Sequence, residues 1–214
     1  MHPHNDQPLA TAGAPLGTAP VVIMVHGRGA GPANILDLVP RLALPGLTYL
    51  APSAAGKSWY PFSFMSEREK NEPGLSSALD VLAGLVERSI AAGVPAERIA
   101  LLGFSQGACL TAEFTMRHAR RYGGVVVFSG GLIGPPGTTW NDVASEVAAF
   151  DGTPVFLGCS DVDSHVPKTR VDESAEVFSR MGAVVTKRIY PSMGHLVNDD
   201  EIGAAQDILS RVAI

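Results

Sequence analysis

One serine of this chain stands where a serine can become a nucleophile. Gly103-Phe104-Ser105-Gln106-Gly107 has the pattern G-x-S-x-G. It follows the apolar run Ile99-Ala100-Leu101-Leu102 and opens a helical stretch from Gln106 to about Ala119. A strand that turns sharply into a helix lifts the serine above the end of a sheet. A side chain at 103 or 107 would collide in such a turn, so glycine is wanted at both. A serine hydroxyl alone is a weak nucleophile: it needs a base, and the base needs an orienting acid. With a strand-borne serine first in chain order, the acid follows a later strand and the histidine follows the last one. The apolar run 154–158 is followed by Cys-Ser-Asp161-Val-Asp163, and Val184–Tyr190 by Pro-Ser-Met-Gly-His195. By position alone, Asp161 and Asp163 both qualify as the acid.

The other histidines are poorer bases. His165 lies two residues from Asp163 on the same loop, badly placed to bridge that acid and a distant serine. His2 and His4 fall in a tail, 1–8, expected to fray. His118 comes late on a helix, and His26 ends a strand and shapes the loop beyond it. An acyl-transfer intermediate also needs two backbone N–H donors for its oxyanion. One should belong to Gln106, just after the nucleophile. The other should come from the loop His26-Gly27-Arg28-Gly29-Ala30-Gly31 after the first long strand, with the Arg28 N–H as the choice. Trp59, Phe62, Phe64, Phe104, Met193 and Leu196 are the candidates to line the pocket.

These residues need a scaffold, and the hydrophobic pattern supplies one. Runs at 21–26, 47–50, 99–103, Gly124–Phe128, 154–158 and Val184–Tyr190 read as strands, several of them apolar throughout. Continuous apolar runs suit strands buried on both faces of a parallel sheet. Between them, Leu75, Leu79, Leu82, Val86 and Ile90 recur at helical spacing. So do Val171, Ala175 and Phe178, and then Ile202, Ala205, Leu209 and Val212. The alternation predicts an α/β fold: a mostly parallel central sheet with helices on both faces, in a single domain. Leu9 to Ala12 adds a short strand before a glycine-bounded turn. The stretches 52–72 and 131–141 read as irregular.

Composition removes several function classes. A chain of 214 residues, 46% hydrophobic and 17% charged, can bury a sizeable core and is not disordered. A net charge of −5 without a basic run argues against nucleic acid as a partner. Nothing resembles a signal peptide, and the apolar runs are strand-sized, so no membrane insertion and a cytoplasmic location are expected. Cys109 and Cys159 are too few for a disulfide scaffold or a zinc site, and no metal is expected. Gly56-Lys57-Ser58 imitates the end of a phosphate-binding loop, but Trp59-Tyr60-Pro61 follows where a helix should begin. The glycines at 27, 29 and 31 have the wrong spacing for a dinucleotide. Asp161 and Asp163 lie too far beyond their apolar run to match the paired aspartates of magnesium-dependent phosphatases.

Six segments together resemble the phospholipase/carboxylesterase family of α/β-hydrolases, which includes the acyl-protein thioesterases. They are HGRGAG (26–31), SWYPFSF (58–64), GFSQGA (103–108), FSGGL (128–132), DSHVP (163–167) and GH (194–195). The likeness runs from about residue 20 to the C-terminus. It implies the α/β-hydrolase fold with no large cap domain. It also implies Asp163 as the acid, three residues before Val166-Pro167, and Arg28 after His-Gly as an oxyanion donor. It further implies no cofactor and, often, a homodimer. One departure is Cys159-Ser160, where thioesterases of the family usually carry His-Gly. The Trp-Tyr-Pro segment looks more like the bacterial carboxylesterase branch.

The expected function is therefore hydrolysis of small carboxylic esters by Ser105, His195 and Asp163 through an acyl-enzyme, with short to medium acyl groups preferred. An acyl-protein thioesterase or lysophospholipase is the alternative within enzymes. A hydrolase-fold binding protein without catalysis is the alternative outside them.

Overall fold

The computed structural model describes residues 2–141 and 149–213. Its centre is a seven-stranded sheet of β1 (Leu9–Gly13), β2 (Val21–Val25), β3 (Thr48–Pro52), β4 (Ile99–Phe104), β5 (Gly124–Phe128), β6 (Pro154–Ser160) and β7 (Val184–Tyr190). The spatial order is β1-β3-β2-β4-β5-β6-β7. Among the described residues only the β1–β3 pair is antiparallel, and every other pairing is parallel. Among the described residues six helices cover the sheet: α1 (Pro32–Leu36), α2 (Val39–Leu42), α3 (Gly74–Ala91), α4 (Gln106–Arg117), α5 (Lys168–Arg180) and α6 (Asp199–Ala213). This is the α/β-hydrolase architecture that the alternating pattern and the resemblance led us to expect, and no large cap is present among the described residues.

The strand period of two sorts side chains into two cores. Val21, Ile23 and Val25 enter one core with Leu101, Val127 and Leu157, under α3, α4 and α5. Val22 and Met24 face the other way, with Leu102, Val126 and Phe156, under α1, α2 and α6. Central β2, β3 and β5 are buried at every position, which is why β2 and β5 read as unbroken apolar runs and β3 carries only Thr48 as a polar residue in the strand. Edge strand β7 is different: all of its residues are exposed or partly so, and Lys187 and Arg188 lie within it. Charge on an edge strand discourages further pairing.

Besides shifts of one or two residues at the ends of β1, β2, β4 and α4, three sequence expectations change in detail. The third strand is Thr48–Pro52 rather than 47–50. β6 continues through Cys159 and Ser160, because both pair with β7. The expected frayed tail is overturned: His4 is buried, its N–H donating to Ser77 Oγ at 3.0 Å and its ring bonded to Trp59 and Ala55. The partners lie 51 to 73 residues away, so no local pattern announces them. The irregular stretch 52–72 contains only two short 3-10 turns, Ala55–Lys57 and Arg68–Asn71. Just after the irregular stretch 131–141, residues 142–148 lie outside the described residues. Among the described residues no helix is long and apolar enough to cross a membrane.

Candidate active site

Ser105 sits between β4 and α4 with φ 56° and ψ −122°, a strained conformation for a residue with a side chain. The turn is held by close packing. A Cβ at Gly103 would lie 2.4 Å from the Gly107 carbonyl oxygen, and one at Gly107 would lie 2.2 Å from that of Val25. Only glycine lets α4 start this close to β2 and β4, and the serine is driven out above the sheet as a result. The Ser105 N–H donates to Phe128 O at 3.0 Å, pinning the turn to β5.

His195 approaches from the loop after β7. Its Nε2 lies 2.8 Å from Ser105 Oγ, and its Nδ1 lies 2.7 Å from Asp163 Oδ2. Asp163 Oδ1 accepts the N–H groups of His165 at 2.8 Å and Val166 at 3.0 Å. The Asp163 side chain is wholly buried, which by itself raises a carboxyl pKa. The hydrogen bonds from His195, His165 and Val166 outweigh that burial and hold its pKa below the ordinary carboxylate value. Asp161 points elsewhere: its Oδ1 accepts the Ser192 N–H at 2.8 Å. His165 packs edge-on against the His195 ring, with centroids 4.6 Å apart, and bridges nothing.

Cys159 and Ser160, which depart from the His-Gly of the thioesterases, both touch this loop pair. Cys159 Sγ lies 3.7 Å from Asp163 Oδ2 and 3.8 Å from Val166 O. Burial first, and then Asp163 beside it, push that thiol up to about 12, so it stays a neutral donor. Ser160 Oγ accepts the Gly194 N–H at 3.1 Å and ties the acid loop to the histidine loop.

On the other side of Ser105, the expected oxyanion donors are backed by a buried polar lattice. Gln106 Oε1 accepts the Trp59 N–H at 3.0 Å, and Gln106 Nε2 donates to Tyr60 O at 2.8 Å. The Trp59 indole N–H donates to His26 O at 2.9 Å. His26 Nδ1 meets Gly27 O at 2.8 Å while Nε2 accepts the Ala54 N–H at 3.1 Å, so the neutral tautomer is assigned. Burial lowers the His26 pKa. Among the described residues the N–H groups of Arg28 and Gln106 donate to no protein acceptor. The N-terminus of α4 adds its partial positive charge at the same place.

A cavity of about 520 Å³ opens at Ser105 and His195, lined by Phe62, Phe64 and Phe104 among the expected residues. Tyr60, Cys109, His165 and Val166 also line it, as does Arg28. Leu196 lines a second cleft of about 320 Å³ with Ile35, Leu38 and Val197, and this cleft shares Phe104 and His195 with the first. Two expected pocket residues line neither cleft. Trp59 is fully buried, its ring held between His4 and His26 at 5.5 and 4.9 Å. Met193 turns its sulfur to Asn198 Nδ2 at 2.9 Å. His4 had no signal in the sequence, because its contacts are with residues far along the chain; Tyr60 lay in the SWYPFSF segment but was not among the expected pocket residues. Among the described residues no three His, Cys, Asp or Glu side chains gather as a metal site.

The phospholipase/carboxylesterase family model matches residues 13–213. The chain belongs to that family. A crystal structure of a phospholipase/carboxylesterase from Dyadobacter fermentans is 41% identical, with TM-score 0.91, over 98% of this chain and 99% of that one. Among curated family members, an acyl-protein thioesterase 1 of Eremothecium gossypii is 30% identical over 64% of this chain and 57% of that protein. A probable carboxylesterase of Oryza sativa subsp. japonica is 25% identical over 91% of this chain and 78% of that protein. The match spans only 57 to 60% of the length of three fungal thioesterases that the chain resembles.

Proposed function

We propose that this family member is a carboxylic ester hydrolase with Ser105 as nucleophile, His195 as general base and acid, and Asp163 as the orienting acid, all in one catalytic domain. The observation that carries the reading is the unbroken hydrogen-bonded line from Asp163 through His195 to a strained, half-buried serine. In this mechanism His195 Nε2 takes the Ser105 proton as Oγ attacks the ester carbonyl. The N–H groups of Arg28 and Gln106 receive the oxyanion. His195 then protonates the departing alcohol and activates water to release the acid. The Asp163 carboxylate holds the imidazole tautomer and stabilises its charged form.

Short to medium acyl groups fit best. The rings of Phe62 and Phe64 wall the larger cavity, while Cys109 and Val166 also line it. Each methylene gains about 0.8 kcal/mol only while a pocket can bury it. Two measurements test the reading. A fluorophosphonate should label wild-type protein on the peptide carrying Ser105 and leave Ser105→Ala unlabelled. With p-nitrophenyl esters from acetate to palmitate, kcat/KM should rise over the first carbons and then fall. A maximum at palmitate, or fast cleavage of palmitoylated peptide thioesters, would favour a thioesterase. Folded protein that no fluorophosphonate labels would favour a binding protein.

A further inference from the structure

The guanidinium of Arg28 is held rigidly at the rim of the cavity. Its Nη1 donates to Pro61 O at 2.9 Å, and its Nη2 donates to Tyr60 O at 2.9 Å and Phe62 O at 2.7 Å. It stands over the Tyr60 ring, 5.9 Å from the centroid. All three acceptors are neutral carbonyls. Among the described residues no carboxylate lies within ion-pair distance of Arg28, whereas Arg41, Arg68, Arg117, Arg170 and Arg188 each have one. None of the residues lining the cavity is Asp or Glu. A fixed positive charge without a counter-charge thus faces a mostly apolar cavity that opens on Ser105, in a chain whose net charge is −5. Such a site favours a ligand that brings the missing negative charge.

The topology says which part of an ester would bring it. Ser105 follows β4; β2 flanks β4 on one side, and β5, β6 and β7 lie on the other. The leaving oxygen must take its proton from His195, which is carried by the loop after β7. Arg28 is carried by the loop after β2, on the opposite side. The alcohol is therefore directed away from the guanidinium, which leaves the acyl substituent as the part of an ester that can meet it.

We propose that Arg28 is a specificity residue that selects esters whose acyl chain ends in an anionic group, such as half-esters of short dicarboxylic acids. This rests on the ester-hydrolase reading and narrows its substrate class. The three carbonyl bonds fix the side chain in advance, so little of its freedom is lost when the anion binds. With its backbone N–H turned to the oxyanion and its side chain to the acyl terminus, one residue would gauge the distance between them.

The test compares monomethyl glutarate with methyl hexanoate, substrates of similar length, by titrating the acid released. Wild-type kcat/KM should be at least about tenfold higher for the half-ester, and 0.5 M salt should reduce that ratio, since screening weakens a partly exposed charge pair. Arg28→Gln should bring the ratio to one or below, and Arg28→Lys should retain a preference for the half-ester. The ratio is read within each variant, so a general loss of activity from a loosened loop cancels. A wild-type ratio of one or less would overturn the proposal, as would a ratio unchanged in Arg28→Gln. If Arg28→Gln fails to fold, the wild-type ratio and its salt dependence still decide. Cleavage of methyl hexanoate alone sinks this inference and leaves the hydrolase reading standing. Cleavage of neither ester, with no fluorophosphonate labelling of Ser105, sinks both.

Discussion

Ser105 and its two partners are held by different physics. The serine rises from the centre of the sheet, where backbone packs against backbone: Gly103 against Gly107, and Gly107 against Val25 and His26. Asp163 and His195 hang from loops after β6 and β7 at the edge of the sheet, where β7 is exposed or half-exposed throughout. There the order comes from polar bonds: Ser160 to Gly194, Asp161 to Ser192, and two backbone N–H groups onto Asp163. Tight packing has almost no slack, so a small added group is costly. Polar tethers at a half-exposed edge are individually modest. The proposed nucleophile should therefore respond to changes of volume, and the proposed acid–base pair to changes of hydrogen bonding.

The largest effect should come from the hydrogen-bonding side. Asp163→Asn should lower kcat on the order of 10⁴-fold, because the amide stabilises the wrong imidazole tautomer and no imidazolium. Asp161→Asn, which touches only the Ser192 tether, should cost no more than about tenfold. Steady-state kinetics on one aryl ester compares the two, and a reversed order would undo the assignment of the acid.

Next is the packing side. Gly107→Ala places a methyl 2.2 Å from the Val25 carbonyl oxygen, a rigid backbone neighbour. A loss of about 3 kcal/mol or more is expected in urea unfolding, at the upper end of overpacking costs. A variant as stable as wild type would show that the turn has slack after all.

Glu201 gives a pH-dependent contrast. Its side chain is buried at the start of α6, behind Gly158, with Oε1 unpartnered. Burial above all raises its pKa to about 7; Asp200 and Asp163 also raise it, against the Asn198 N–H and Arg41. A carboxyl pKa raised on folding favours the protonated native state. The stability it contributes is fully present below the unfolded value of 4.5 and is lost as pH rises through about 7. The loss amounts to about 3 kcal/mol at most. Buried His4 and His26 have lowered pKa values, so their contribution has the opposite sign and is lost as pH falls below 6.5. Glu201→Gln keeps an acceptor for the Asn198 N–H, the bond that caps α6. The difference in Tm, variant minus wild type, should therefore climb between pH 4.5 and pH 7 and level off above. A flat difference would mean that Glu201 ionises normally.

The smallest effect belongs to the Ser160 hydroxyl. Ser160→Ala removes the acceptor of both the Gly194 and the Val162 N–H groups and should cost about 1 kcal/mol in stability. Its mark should fall on kcat more than on KM, since it loosens His195 and not the cavity wall. An unchanged kcat would mean that His195 is placed by Asp163 and packing alone.

The sequence by itself determined much of this arrangement. The apolar runs and helical spacings announced the strand and helix order, because burial on both faces of a sheet leaves a one-dimensional trace. The strand–turn–helix around Ser105 was legible for a similar reason: its strain is local, and glycine at 103 and 107 records it in the chain. The loops bearing Asp163 and His195 were legible from their order after strands, although Asp163 was separated from Asp161 only by the family resemblance. Tertiary structure alone decided the rest. It closed His4 and His26 around Trp59 and so took that ring out of the pocket. It placed Cys159 and Ser160 against the acid and histidine loops, and clamped Arg28 onto the carbonyls of residues 60–62. Most of these contacts join residues tens of positions apart. Hydrophobic periodicity and turn chemistry act over a few residues, so contacts of that kind exist only once the sheet has assembled and brought the loops together.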